Sequence, residues 1–218
     1  MGKGLFITFE GPDGAGKTTQ ISYLEDYFKK AGIDVVMTRE PGGTRIGERI
    51  RDIILDNDHT EMDSMTETLL YAAARAQHVA EVIAPALDQG KVVICDRFVD
   101  SSIAYQSWGR KLGVAVEEIN RFATGGLTPA LTFLLLIDPE EGRRRAEKGR
   151  QADRLELEEN AFHRAVYRGY CQLAKSDPER IVTVDAVGEI DEIHKIIVDR
   201  VKWFIEKTNN ELLSGKDL

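Results

Sequence analysis

A glycine-rich octapeptide at residues 11–18 constrains this chain more than any other part of its sequence. It reads GPDGAGKT and matches the pattern G-x-x-x-x-G-K-T. The apolar run at residues 5–9 predicts a buried strand before it, and residues 19–30 predict a helix with one apolar face after it. Strand, glycine loop and helix in this order form the context in which the pattern binds phosphate groups.

The residue types in the octapeptide suit contact with a polyphosphate. Glycines adopt positive φ values, which brings backbone N–H groups close to phosphate oxygens. Lys17 can reach the β- and γ-phosphates, and the Thr18 hydroxyl can ligate Mg²⁺. A tight turn with incidental glycines is the alternative, but it needs neither the lysine nor the threonine. We therefore predict that the chain binds a nucleoside triphosphate with Mg²⁺.

The length and the charge of the chain narrow the remaining classes. Its 218 residues suit one domain, taken as 1–218. A formal net charge of −8 argues against a nucleic-acid polymer as a partner, because such proteins usually carry a basic surface. The sequence has no run of 18 apolar residues and no secretory leader, so we expect no membrane contact and a cytoplasmic protein. Cys95 and Cys171 are expected as buried thiols in a reducing compartment.

Strand and helix signals alternate along the whole chain. Five short apolar runs predict strands, at residues 5–9, 33–38, 92–95, 131–137 and 181–184. Because helical segments separate these runs, we predict an α/β fold with a five-stranded parallel sheet covered by helices on both faces.

The segments between the strands predict the helices. They lie at residues 19–30, 45–55, 63–88, 101–108, 116–124, 160–175 and 189–207. Asp63 is predicted to cap the longest of them, and Pro85 is predicted to disturb it near its end. The polar residues 208–218 are predicted to be frayed.

Charged residues follow two of the predicted strands directly. Ligands of parallel sheets bind beyond the carboxyl ends of the strands, where Arg39, Glu40, Asp96 and Arg97 fall. Asp96 can hold a water of the Mg²⁺ shell, and Arg97 can bind a phosphate with two N–H groups. A surface ion pair between these two residues is the alternative interpretation.

Together, these motifs resemble those of the thymidylate kinase family. The resemblance rests on the glycine loop, the Asp96-Arg97 pair and four further segments: TREPGGT at 38–44, LYAAAR at 70–75, DSSIAYQ at 100–106 and DRLE at 153–156. It implies a P-loop nucleoside monophosphate kinase-like fold with a short lid at residues 139–155. It also implies phosphorylation of dTMP to dTDP with ATP and Mg²⁺, and a homodimer.

The resemblance implies a role for each matched residue of the acceptor site. Tyr71 stacks on thymine and Arg75, one helical turn later, bonds its carbonyl, whereas Tyr105 lies under the deoxyribose and excludes a 2′-hydroxyl. An ordinary core aromatic is the alternative for Tyr71. The full dTMP set is Asp13, Arg39, Glu40, Pro41, Arg51, Tyr71, Arg75, Arg97, Ser101, Ser102, Tyr105 and Gln106.

The resemblance also implies the donor, metal and catalytic residues. The ATP set is Gly11, Pro12, Asp13, Gly14, Ala15, Gly16, Lys17, Thr18, Thr19, Arg143, Asp185 and Ala186. Mg²⁺ is expected at Thr18 and, through a water, at Asp96. The catalytic set is Asp13, Lys17, Arg97, Arg145 and Arg150.

The position of the catalytic arginine divides the family. Some members carry it in the glycine loop next to the acidic residue, where this chain has Gly14, so the resemblance points to the lid. Arg145, Arg150 and Arg154 are the candidates, with a solvated basic face as the alternative. Gly142 and Gly149 are predicted as hinges of the lid.

Two other functions remain open from the sequence. One is a kinase for another pyrimidine nucleotide, since thymine differs from uracil by one methyl group. The other is a regulatory or switch NTPase with a P-loop. A guanine-binding motif of the Asn-Lys-x-Asp type is absent from the sequence, which argues against a GTPase switch.

Overall fold

A computed structural model of the chain describes residues 4–146 and 152–208. In this part of the chain five strands form one sheet in the order β2-β3-β1-β4-β5, and every neighbouring pair is parallel. The strands are β1 (Leu5–Glu10), β2 (Val35–Arg39), β3 (Val92–Asp96), β4 (Leu131–Leu136) and β5 (Ile181–Asp185). The predicted five-stranded parallel sheet is confirmed.

Helices cover both faces of this sheet. They are α1 (Lys17–Lys30), α2 (Arg45–Leu55), α3 (Ser64–His78), α4 (Ala84–Asp88), α5 (Val99–Ser102), α6 (Ala115–Thr124), α7 (Pro139–Ala146), α8 (Asn160–Ser176) and α9 (Ile190–Thr208). None of these helices is long and apolar enough to cross a membrane.

The two faces of the central strand differ in chemistry. All six residues of β1 are buried, as expected of a strand with neighbours on both sides. Ile7 and Phe9 pack with α1 and α9 in an apolar cluster. Because side chains alternate along a strand, Thr8 and Glu10 point to the opposite face, toward α5 and α8.

Two predicted helices contain π-helical turns. The segment predicted at 63–88 consists of α3, a π-helical turn at Val79–Ile83, and α4. Its disturbance therefore begins ahead of Pro85. The segment predicted at 101–108 starts earlier, with α5, and continues as a π-helical turn at Ile103–Gly109. Such turns often occur at functional sites, and the second one carries two of the predicted site residues.

The cap of α3 is a testable contributor to stability. Asp63 Oδ1 accepts hydrogen bonds from the backbone N–H groups of Met65 (2.8 Å) and Thr66 (3.3 Å). Replacing Asp63 with alanine leaves these donors without their acceptor, and we expect a loss of about 1 kcal/mol in the free energy of unfolding. Urea unfolding measures the change. Asp63→Asn, which keeps an acceptor oxygen, is the control; equal stability of wild type and Asp63→Ala would contradict the prediction.

Candidate active site

A cavity of about 570 Å³ lies at the carboxyl ends of β1, β2 and β3. This is the edge of the sheet at which ligands were expected. Its walls bring together most of the predicted site residues: Asp13, Gly14, Gly16, Lys17, Thr18, Arg39, Glu40, Pro41, Arg51, Tyr71, Arg75, Asp96, Arg97, Ser101, Ser102, Tyr105, Gln106 and Arg145.

The remaining predicted residues lie around this cavity or outside the described residues. Gly11, Pro12 and Ala15 are buried within the glycine loop, and Thr19 is exposed on α1. Asp185 ends β5, and Ala186, which follows it, borders the lid, as described below. Arg143 lines a second cavity of about 310 Å³. Arg150 and Gly149 lie outside the described residues.

The glycine loop is packed too tightly for side chains at two of its glycines. Gly11 and Gly14 have φ values of 132° and 74°. A Cβ on Gly11 would lie 2.1 Å from the oxygen of Leu135, and one on Gly14 would lie 2.0 Å from the oxygen of Gly142. A Cβ on Gly142 would in turn lie 2.6 Å from the oxygen of Asp13. Gly142, predicted as a hinge, therefore serves close packing of α7 against the loop.

Lys17 begins α1 and lies over the glycine loop. Its Nζ donates to the backbone oxygens of Gly11 (3.1 Å) and Pro12 (2.9 Å). Burial and the neighbouring charge of Arg97 lower the pKa of Lys17 to about 8. A bound polyphosphate would supply the negative charge that this buried ammonium lacks.

Arg97 lines the cavity and links the glycine loop to α5 and α8. Its Nη2 donates to Asp13 Oδ1 (2.7 Å), and its Nη1 donates to the oxygens of Gly11 (3.0 Å), Ser101 (3.2 Å) and Tyr170 (3.2 Å). Burial opposes its charge, but its neighbours, Asp13 among them, raise the pKa of Arg97 well above its usual range. Arg97 also has a φ of 69°, an uncommon value for a residue with a side chain.

Tyr105 contacts the same pair of charges. Its hydroxyl donates to Asp13 Oδ2 at 3.4 Å, and the guanidinium carbon of Arg97 lies 5.4 Å from the centre of its ring. Burial raises the pKa of Tyr105 above its ordinary value, so the hydroxyl stays protonated and donates.

Glu10 was not predicted as a site residue, but it binds residues that in turn bind Arg97. It is fully buried, its Oε1 accepts the backbone N–H of Phe98 (2.8 Å), and its Oε2 accepts from the hydroxyls of Ser101 and Tyr170. Burial and the nearby charge of Asp100 raise the pKa of Glu10 to about 7. A carboxylate at the end of a mainly apolar strand was the signal in the sequence that could have identified Glu10.

Arg75 occupies the opposite wall and is almost completely bonded. Its Nε donates to Glu40 Oε2 (2.7 Å), its Nη1 to Ser102 Oγ (2.9 Å) and Asn120 Oδ1, and its Nη2 to the oxygen of Phe98 (3.0 Å). Four of its five N–H groups are thus engaged, and one remains for the cavity that Arg75 lines.

Glu40 and two residues missed in the sequence hold this wall in place. The carboxylate of Glu40 is buried between Arg75 and His78, whose Nδ1 lies 2.8 Å from Oε1. Asn120 of α6 also binds Arg75: its Oδ1 accepts from Arg75 Nη1, and its Nδ2 donates to the oxygen of Val116. Neither His78 nor Asn120 lies in a recognisable motif, so only the packing of α3 against β2 and α6 identifies them.

The other arginines at the acceptor side differ in how firmly they are held. Arg51 donates to the oxygen of Pro41 (2.8 Å), and burial lowers its pKa. Arg39 is half-exposed and pairs with Glu48 at 3.0 Å. Tyr71 is partly buried, so it lines the cavity and also touches the neighbouring apolar cluster. Tyr71 therefore contacts both the cavity and the core, and its stacking on thymine stays a prediction.

The comparisons with known proteins agree on one family. The family model described as thymidylate kinase matches residues 9–197. The thymidylate kinase of Geobacillus sp. (strain WCH70) is 50% identical over 207 residues, which are 94% of this chain and 99% of that protein. That of Lactobacillus acidophilus is 52% identical over 210 residues, covering 94% and 97%. The chain belongs to the thymidylate kinase family.

A solved structure agrees with this membership. The thymidylate kinase of Ehrlichia chaffeensis superposes with a TM-score of 0.75 at 32% identity, covering 92% of this chain and 99% of the other. The predicted P-loop nucleoside monophosphate kinase-like fold is confirmed. So are the predicted enzyme class, a phosphotransferase, and the predicted activity, phosphorylation of dTMP, with ATP as donor.

Two residues that line the cavity, Thr18 and Asp96, suit the Mg²⁺ that the sequence predicts. Asp96 Oδ1 is buried without a hydrogen-bond partner, and Asp96 and Thr18 both line the cavity. The described residues contain no group of three or more metal-binding side chains. A single carboxylate and a hydroxyl fit Mg²⁺, which is held mainly by phosphates and waters.

The two lid candidates that the structure describes, Arg145 and Arg154, bind different partners. Arg145 lines the cavity, where its Nη1 donates to the oxygen of Ala186 and its Nε to Glu141 Oε1, each at 3.0 Å. Arg154 instead donates to Glu67 Oε2 (2.6 Å) and to the oxygen of Ile54 (2.9 Å), away from the cavity lining. Of these two arginines, the cavity wall includes Arg145 and not Arg154.

The lowered pKa of Lys17 predicts a pH dependence of ATP use. Lys17 is charged below pH 8 and neutral above it, so donor binding to the free enzyme weakens as pH rises. We expect kcat/KM for ATP to fall about tenfold per pH unit above pH 8, measured at saturating dTMP and Mg²⁺. At saturating ATP, kcat/KM for dTMP is the control, because Lys17 is then already paired with phosphate. A kcat/KM for ATP that stays constant from pH 7 to 10 would contradict this prediction.

Proposed function

We propose that the 570 Å³ cavity holds both substrates of dTMP phosphorylation, Mg-ATP over the glycine loop and dTMP along α3 and the π-helical turn. The observation that carries this proposal is the convergence of Lys17, Arg97 and Arg145 on one cavity that also has an aromatic wall. Two polyanions can meet only where several cations lie together, because the net charge of −8 repels them elsewhere.

The acceptor is held at three points in this proposal. Arg97 and Arg39 bind the phosphate of dTMP, and Arg97 is already charged and fixed by its bond to Asp13. Asp13 lies toward the sugar 3′-hydroxyl, while Tyr105 packs under the deoxyribose. The base lies between Tyr71 and the wall formed by Arg75 and Gln106.

The donor end neutralises charge and aligns the transfer. Lys17 moves from its backbone acceptors to the β- and γ-phosphates, and Thr18 and Asp96 would hold Mg²⁺, the latter through a water. When bound, Mg²⁺ neutralises charge on the transferring phosphoryl group. The dTMP phosphate is already an anion at neutral pH, so positioning and charge neutralisation carry the rate without a strong general base.

Arg145 is the lid arginine that the geometry supports as catalytic. It stands at the cavity wall in α7, which packs directly on the glycine loop through Gly142. Its two acceptors, Glu141 and the oxygen of Ala186, hold it beside the donor site. Arg143 and the loop at Asp185 and Ala186 border ATP. Arg150 stays a candidate from the sequence alone.

We also propose a cytoplasmic homodimer. Large apolar side chains are exposed on α2, α3 and α6, which pack side by side. They are Ile46, Ile53, Leu69 and Phe122. A second copy of the chain would cover them. The free thiols of Cys95, which is buried, and Cys171, which is half-buried, suit a reducing compartment.

A panel of monophosphates tests the choice of substrate. We expect dTMP to give the highest kcat/KM with Mg-ATP, followed by dUMP at about 10–200-fold lower efficiency, because one methyl group separates them. Release of ADP with dTMP, dUMP, UMP, dCMP, dGMP and AMP measures this. Preference for another monophosphate would require a different acceptor assignment, and ADP release independent of any acceptor would favour a regulatory NTPase.

Neighbouring arginines of α7 provide a matched test of the lid. Arg145→Ala should lower kcat at least 10²-fold, since an arginine on the transferring phosphoryl group contributes about 10³–10⁵ in rate. Arg144→Ala is the control, because Arg144 is 74% exposed and is absent from the cavity lining. Equal kcat values for the two variants would exclude Arg145 as the catalytic arginine.

A further inference from the structure

Glu67 of α3 is a buried carboxylate that joins two distant segments of the chain. It accepts a hydrogen bond from Gln106 Nε2 (2.9 Å) and two from Arg110, at 3.2 and 2.9 Å. Arg154, which precedes α8, adds a fourth at 2.6 Å. The side chain of Glu67 has no exposed surface. A carboxylate this enclosed is held in one orientation by its donors.

The charge of Glu67 fixes the direction of its hydrogen bonds. Burial alone would raise its pKa, but the hydrogen bonds from Arg110, Gln106 and Arg154 hold the pKa of Glu67 below its usual value. At neutral pH the carboxylate is therefore ionised and can only accept. Gln106 consequently has to turn its NH₂ group, and not its carbonyl oxygen, toward Glu67.

The orientation of this amide matters because Gln106 also lines the main cavity. With Nε2 anchored at Glu67, the carbonyl oxygen has one position at the base wall and cannot exchange places with the NH₂ group. Arg75 on the same wall offers only N–H donors. Thymine and uracil carry an N–H at N3 beside an accepting O4, whereas cytosine carries an acceptor at N3 beside a donating amino group.

We propose that Glu67 is a positioning residue that locks the amide of Gln106 so that its oxygen accepts from N3 of the base, selecting thymine and uracil against cytosine. This inference rests on the proposed function, in which Gln106 contacts the base edge. Glu67 acts through Gln106 and does not touch the substrate. The remaining donors, Arg110 and Arg154, fix the carboxylate itself.

Replacing Glu67 with glutamine tests the lock directly. The new amide can donate as well as accept, so Gln106 can turn over and present an N–H to cytosine. We expect the ratio of kcat/KM for dTMP over dCMP to fall at least tenfold. The ratio for dTMP over dUMP should stay at its wild-type value, because both bases carry the same N3–H. A purely structural role for Glu67 would not separate these two ratios.

Two variants in the same cluster serve as controls. Glu158→Gln removes a carboxylate that bonds Arg110 at 2.5 Å and leaves Glu67 untouched. Arg110→Lys keeps a cation beside the Glu67 carboxylate, which stays ionised and bonded to Gln106. Both should keep the wild-type dTMP over dCMP ratio even where they lower stability.

A double variant keeps the test valid if Glu67→Gln alone does not fold. Glu67→Gln removes the carboxylate that binds both Arg110 and Arg154, a change that destabilises a buried cluster. Glu67→Gln combined with Arg110→Gln leaves one cation and one anion, and we expect the same fall in the dTMP over dCMP ratio. Thermal melting identifies which of these proteins are folded.

The outcomes distinguish this inference from the proposed function. An unchanged dTMP over dCMP ratio in a folded variant that lacks the Glu67 carboxylate would overturn the inference. The same would follow from an equal fall in the Arg110→Lys control. A wild-type enzyme that fails to prefer dTMP over dCMP would instead overturn the assignment of the acceptor site.

Discussion

The ion pair between Arg97 and Asp13 is the interaction on which the rest of the site depends. It joins the end of β3 to the glycine loop at a distance of 2.7 Å, and Arg97 has a positive φ where it forms. Withdrawing charges from water costs free energy unless the remaining hydrogen bonds are satisfied. Gly11, Ser101 and Tyr170 supply those bonds, so the end of β3 and the glycine loop are fixed relative to each other.

Below this ion pair, one face of the sheet carries buried polar side chains. Thr8 and Thr132 are fully buried and hydrogen-bonded to each other at 2.8 Å, and Glu10 lies one step further along the same face. The opposite face is apolar and packs on α1 and α9. The face of Thr8 and Glu10 also packs apolar side chains, such as Phe6 and Leu134, so apolar burial on both faces stabilises the sheet. The buried polar groups of that face add fixed dipoles and charges that preorganise the site.

Local patterns explain which site residues were predictable. The glycine loop and the residues that directly follow β2 and β3 were found because short motifs and the strand order place them at one edge. The partners of Glu40 and Arg154 could not be predicted: Glu40 pairs with Arg75 and His78, and Arg154 pairs with Glu67. These partners are distant in the sequence, where spacing carries no information about pairing.

The sequence by itself determined the parallel sheet and the glycine loop, because strand alternation and phosphate binding depend on neighbouring residues, and the family resemblance of its motifs implied the reaction. Only the tertiary structure decided how the charges are paired. Glu67 and Arg154 are 87 positions apart, and Glu10 and Tyr170 are 160 apart. Such contacts form only when helices pack on the sheet, since an ionised group in the interior binds the donor that packing brings to it.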